Sequence, residues 1–170
     1  MSTALRAGVT LAVVSIDELI PSTLAPSPEQ IEILLELAYL VTAVDGRLAD
    51  EEIVAFETIA SRLYRRAVST PQLDALIERF AHNVEREEIE ARVRDLVPTL
   101  DKDLHAVAYR LALGVAFADH EASIEEDALH KVLGDALGLT REIRAALSRQ
   151  VALGGGKARL GAPPTEPPTE

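Results

Sequence analysis

A block of sixteen residues occurs twice in this chain, and that repetition constrains the fold more than any other feature. Residues 37–52 read LAYLVTAVDGRLADEE and residues 111–126 read LALGVAFADHEASIEE. At an offset of 74 positions the copies match at Leu37/Leu111, Ala38/Ala112, Val41/Val115, Asp45/Asp119, Glu51/Glu125 and Glu52/Glu126. Each copy is an apolar helix ending at an Asp, a short turn, and an acidic start to a second helix. A chain that repeats a helix hairpin builds one body from two units, neither of which buries a core alone. The expectation is an all-α fold of about seven helices. It is a single compact domain with an internal pseudo-two-fold repeat, its two central helices packed on each other.

Composition supports an aliphatic core. Of 170 residues, 48% are apolar and only 4% aromatic, which suits one domain filled by Leu, Ile, Val and Ala. There is no cysteine, which excludes disulfides, thiolate metal sites and a Cys nucleophile. The net charge of -11 argues against a nucleic-acid partner, because phosphate backbones are bound by basic faces. Cations and basic protein surfaces are what such a field attracts. The apolar run at residues 7–16 is too short to span a bilayer. It meets Asp17 and Glu18 with no clear cleavage site after it, so a cytoplasmic protein without direct membrane insertion is expected.

From Ser27 the punctuation is helical. Ser27-Pro28-Glu29-Gln30 combines a capping Ser, a Pro at the first helical position and a Gln three residues after the cap. Ile31, Leu34, Leu35, Ala38 and Val41 then keep helical spacing to about Val44, with Leu37 and Leu40 filling the rest of the circumference. A second helix is expected over 50–66, with acids in its first turn and Arg62, Arg65 and Arg66 at its other end. Thr70-Pro71 opens a third through Phe80, and a fourth spans 86–97, stopped by Pro98. Residues 101–118 repeat the central helix. Ser123-Ile124-Glu125-Glu126 opens a helix that stops at Gly138, and Thr140 starts the last one, ending near Leu153. The Gly run and the tandem PPTE that follow suit a flexible tail. The organisation is therefore an extension over 1–26, a helical domain over 27–153 and a tail over 154–170.

The two turns carry the candidate chemistry. A Glu follows each helix-ending Asp by seven positions, as Asp45 to Glu52 and Asp119 to Glu126. Glu126 has a structural explanation, because it stands three after Ser123 and closes a capping box. Ala49, at the matching cap position before Glu52, offers no side-chain acceptor, so one shared cap does not explain both. The Asp residues face the negative end of a helix dipole, which disfavours a carboxylate. Hydrogen bonds from turn N–H groups offset that cost, or a divalent cation shared with the Glu does. An EF-hand is excluded, since Asp45 lacks acidic partners at the third and fifth loop positions.

Enzymatic signals are thin. Asp127 and His130, and Asp101 and His105, combine a carboxylate with an imidazole, but a di-iron bundle needs further Glu ligands that the chain does not supply. His105 reads as a core-edge residue and His130 as a surface one. His120 differs, lying inside the second acidic turn where the first has Gly46, in a position to lend a nitrogen if a metal binds there.

An Ala-rich helix ending in Val-Asp-Gly or Ala-Asp, with a Glu seven after the Asp, duplicated in an all-helical domain of this size, resembles the TerB-like family, the tellurite-resistance protein B group. The resemblance covers roughly residues 28–150 and rests on Asp45, Gly46 and Glu52 in the first motif and Asp119 and Glu126 in the second. His120 departs from the glycine, and Ala122 is a small substitute for the apolar residue at Leu48. The resemblance implies cation binding at the acidic motif positions. It also implies a stress or tellurite-resistance role through membrane-associated assemblies with protein partners, and no specific enzymatic activity.

Two readings follow. The first is a non-enzymatic acidic module that binds a divalent metal ion or protein partners through Asp45, Glu52, Asp119, Glu126 and His120. The alternative is a metal-dependent enzyme or small-ligand carrier with a site between the two central helices. Small residues Ala38, Ala43, Ala112, Gly114 and Ala116 favour close helix packing there, and so the first reading.

Overall fold

A computed structural model describes residues 19–43, 47–86, 88–118 and 124–160, with the side chains of 85–86, 124–126 and 153–160 outside the description. Seven α-helices lie among these residues, and no strand. They are α1 (Pro28–Thr42), α2 (Asp50–Tyr64), α3 (Thr70–Arg86), α4 (Ile89–Leu96), α5 (His105–Ala116), α6 (Ile124–Ala136) and α7 (Arg141–Leu160). Two 3-10 turns, Val97–Thr99 and Lys102–Leu104, join α4 to α5. None of these helices is long and apolar enough to cross a membrane.

Local chemistry sets the ends. Ser27 Oγ accepts the Gln30 N–H at 3.3 Å, and Pro28 begins α1 with the one residue that lacks an N–H to satisfy. At α2 the Ala49 N–H donates to Glu52 Oε2 at 2.7 Å. This is half of a capping box, and it corrects the expectation that Ala49 leaves Glu52 without a structural role. The Glu arm of the box bonds the backbone N–H of the cap residue, which Ala has as surely as Ser. α2 ends where Arg65 turns left-handed at φ 53°, with the Arg66 N–H donating to the Ser61 carbonyl. Gly138, at φ 69°, ends α6 in the same way, the Leu139 N–H reaching the Gly134 carbonyl at 3.0 Å.

The core gathers around α1 and α5, which make the most extensive helix contact in the molecule. Between them Ala38, Ala112, Leu34, Leu37, Leu111 and Val115 are wholly buried. Part of the contact pattern is preserved under exchange of the halves, α4 having no counterpart among the described helices. Swapping α1 with α5, α2 with α6 and α3 with α7 turns the α1–α2 contact into α5–α6, α1–α3 into α5–α7 and α2–α5 into α6–α1, all of which exist. Burial follows the 74-residue offset beyond the repeated block: Phe56/His130, Ile59/Leu133, Leu63/Leu137 and Leu73/Leu147 are buried in both copies.

Two features fix the first half. Tyr39 of α1, Phe56 of α2 and Phe80 of α3 form a buried aromatic cluster, with ring centroids 5.9 Å apart for Tyr39–Phe80 and 6.5 Å for Phe56–Phe80. Beside it Glu36 of α1, 5% exposed, receives a bidentate pair from Arg92 of α4, Nε to Oε1 at 2.7 Å and Nη2 to Oε2 at 3.1 Å. Asn83 Nδ2 of α3 also donates to Glu36 Oε1, at 3.1 Å. A buried carboxylate is tolerable only when paired and hydrogen-bonded in this way.

Three boundaries differ from the sequence expectation. α3 continues past Phe80 to Arg86, because Ala81 and Val84 keep the helical stripe in contact with the core. Leu19 and Ile20 are buried in the core, so the body begins ahead of residue 27. α7 does not stop by Gly154 but runs to Leu160. Each glycine disfavours helix by about 1 kcal/mol relative to Ala. An existing helix only has to propagate, however, and Lys157, Ala158, Arg159 and Leu160 are strong helix formers. Residues 161–170 of the expected tail lie outside the described residues.

Candidate functional site

The acidic turns fall largely outside the described residues. Asp45, Asp119 and His120 lie there, and Glu126 sits in α6 with its side chain outside the description. Glu52 is described, and it is 3% exposed with its carboxylate on the Ala49 N–H. No group of three or more His, Asp or Glu side chains among the described residues is placed to hold a metal ion.

The histidines divide. His105 is half-buried as expected, its Nδ1 3.0 Å from the Leu137 carbonyl and its Nε2 3.3 Å from that of Leu100, so it links the end of α6 to the turn before α5. His130, expected at the surface, is 7% exposed. Its ring meets Tyr109 edge to face, with centroids 6.4 Å apart. The offset explains the burial, because His130 occupies the place of Phe56 and α6 presents that face inward.

His130 lines a cleft of about 530 Å³ bounded by α5, α6 and α7. It lies on the far side of α5 from the close-packed seam with α1. Leu113, Ala116 and Phe117 of α5 supply apolar wall, and Tyr109 reaches in beside them. From α6 come Asp127, His130 and Lys131, and from α7 Arg141, Arg144, Ala145 and Ser148. An apolar wall with a few convergent polar groups is the usual character of a small-ligand site, and the volume lies within the usual range.

Arg144 is the best-fixed of these cations. Its guanidinium pairs with Asp135 at 3.0 Å and its side chain is 21% exposed. It lies across α6 at Gly134, where a Cβ would stand 2.3 Å from Arg144 Cδ. Glycine at this point is what lets the arginine lie flat on the helix. Burial pushes the Tyr109 phenol above its ordinary pKa, while a hydrogen bond from Ser148 and the charge of Arg144 pull it partly back. The phenol is therefore neutral at physiological pH.

The sequence reading missed this cleft, yet the repeat contains its signal. At the offset of 74, Asp127, His130, Lys131, Arg141 and Arg144 stand where the first half has Ile53, Phe56, Glu57, Ala67 and Thr70. Phe80, the third ring of the first-half cluster, corresponds to Gly154. The buried ring of Phe56 thus gives way to an imidazole, and Glu57, Ala67 and Thr70, outside the core, give way to three cations at the cleft. No family model, no curated protein and no solved structure matches the chain.

Proposed function

We propose that this protein is a non-enzymatic helical binding module whose ligand site is the α5–α6–α7 cleft of its second half. One observation carries the reading: Tyr39 and Phe56 belong to a buried aromatic cluster in the first half, while Leu113 and His130 at the corresponding positions line an open polar cleft in the second. Opening that interior sacrifices aromatic packing, and a ligand site is a reason to do so. The TerB-like resemblance adds an assembly with protein partners in metal or tellurite stress as the setting. A divalent cation at the turns rests on the recurring Asp45 and Asp119, now that the cap accounts for Glu52.

The test is a fragment screen read by amide chemical shifts on the isotopically labelled full chain. Hits are expected to perturb Tyr109, Leu113, His130, Lys131 and Ser148 together. Perturbations centred on Tyr39, Phe56 and Phe80, or spread evenly over the chain, would overturn the assignment.

A further inference from the structure

We infer that the second-half cleft takes a small amphiphilic organic anion, a single carboxylate or phosphate monoester head on a short apolar chain. The inference rests on the binding-module reading and adds the chemical class. In a chain with 28 acidic and 17 basic residues, the charged groups lining the cleft are Lys131, Arg141 and Arg144 against the one carboxylate of Asp127. Local charge runs opposite to the charge of the whole molecule. None of the three cations has a basic counterpart in the first half, where Glu57, Ala67 and Thr70 stand instead. General basicity therefore does not account for the cluster.

Geometry gives each part of the ligand a place. Arg144 is partly desolvated and seated on Gly134, so its planar donors are pre-oriented for a carboxylate or phosphate. Its present partner, Asp135, is 58% exposed, and an ion pair with so exposed a carboxylate is weakly held. A head group that brings its own negative charge into the cleft competes with it. Arg141 opens α7, a helix of twenty residues, so the positive end of the helix dipole adds to the same field. Leu113, Ala116 and Phe117 face the apolar chain. A cationic ligand would meet three cations against the one carboxylate of Asp127, and a neutral one brings no charge to compete with Asp135 for Arg144.

The experiment is titration calorimetry on the full chain at physiological salt with octanoate, octyl phosphate, octanol and octyltrimethylammonium. Amide shifts are read in parallel to locate each probe, and sedimentation with anionic phospholipid vesicles is run alongside. At least one of the two anions is expected to bind with shifts at Tyr109 and His130. Octanol should bind at least about tenfold more weakly and the ammonium probe not measurably, the charge-assisted hydrogen bonds setting the gap. Arg141→Gln with Arg144→Gln should weaken anion binding by roughly 10- to 100-fold. Gly134→Ala, which displaces Arg144 while improving helix propensity, should weaken it about tenfold in a folded protein. Octanol or ammonium binding as tight as the anions, or an unchanged double variant, overturns the anion class; if those probes still shift the cleft residues, the binding-module reading survives. Vesicle binding without binding of either soluble anion overturns the small-molecule assignment in favour of a bilayer headgroup. No binding and no cleft shifts with any probe overturn both readings.

Discussion

The two halves of this protein place equivalent helices in equivalent contacts and then use the enclosed space in opposite ways. The first half packs Tyr39, Phe56 and Phe80 against one another and holds Glu36 in a bidentate pair with Arg92. The second puts His130 where Phe56 would be, leaves a cleft beside it, and lines that cleft with Lys131, Arg141 and Arg144. The contrast teaches that corresponding positions can carry packed rings in one half and polar groups in the other while the aliphatic positions Leu133, Leu137 and Leu147 stay buried.

The largest expected effect breaks the well-filled copy. Phe80→Ala should cost about 3–5 kcal/mol, because a wholly buried ring leaves a cavity among Tyr39 and Phe56. Phe117→Ala, in the wall of the open cleft, removes a ring that already faces space and should cost less than about 2 kcal/mol. Denaturant melts of both variants check the contrast; equal losses would mean the second half is as tightly filled as the first.

Arg92→Met tests the polar anchor and should cost roughly 3–5 kcal/mol, since it strands a carboxylate that is 5% exposed. The same offset sharpens the comparison. Glu36 corresponds to Arg110, whose Nε is buried without a hydrogen-bond partner among the described residues, and Arg92 corresponds to Glu18, outside them. In sequence the pair recurs with its signs exchanged. A double-mutant cycle with Glu18→Gln and Arg110→Gln should return a coupling of about 1–2 kcal/mol. A coupling near zero would leave the Glu36–Arg92 pair without a counterpart.

Much of this fold is legible from local signals, and what escapes is set by tertiary contacts. Ser27-Pro28, the acidic start at Asp50 and the stop at Gly138 act through their own neighbourhood, and each stands where the sequence places it. The extension of α3 to Arg86 depends instead on a stripe whose burial is decided by distant helices. Glu36 and Arg92 are 56 residues apart, so no spacing rule connects them. The site is less legible than the fold for the same reason. Asp45 and Asp119 attract notice because they recur, whereas the cleft is marked by positions where the repeat fails, as at Phe56/His130 and Thr70/Arg144.

The turns offer a smaller test of the same contrast. Glu52 is committed to the Ala49 N–H, so the first turn retains Asp45, while the second retains Asp119 and His120 in its sequence. If a divalent cation binds the native protein, stabilisation at ten times its dissociation constant is about 1.4 kcal/mol. Asp119→Asn should then remove more of the manganese-dependent rise in melting temperature than Asp45→Asn does. Identical rises in wild type and both variants would leave the two Asp residues as structural turn formers.

The smallest effect concerns Tyr109, which stands where the first half has Leu35 and carries a hydroxyl to the edge of the cleft. Burial raises its folded pKa above the ordinary 10.0. Below pH 10 the phenol is neutral in both folded and unfolded chains, and its titration leaves stability unchanged. As pH rises further the unfolded chain ionises first, so the stability present below pH 10 is lost through the folded pKa. Tyr64, also raised by burial, adds a loss of the same sign. Tyr109→Phe should therefore flatten the alkaline fall in melting temperature without abolishing it, and should remove one late-titrating phenol from the ultraviolet difference spectrum. An identical alkaline fall in both proteins would mean that the Tyr109 hydroxyl is as well solvated in the folded cleft as in the unfolded chain, and that the cleft is wet down to α5.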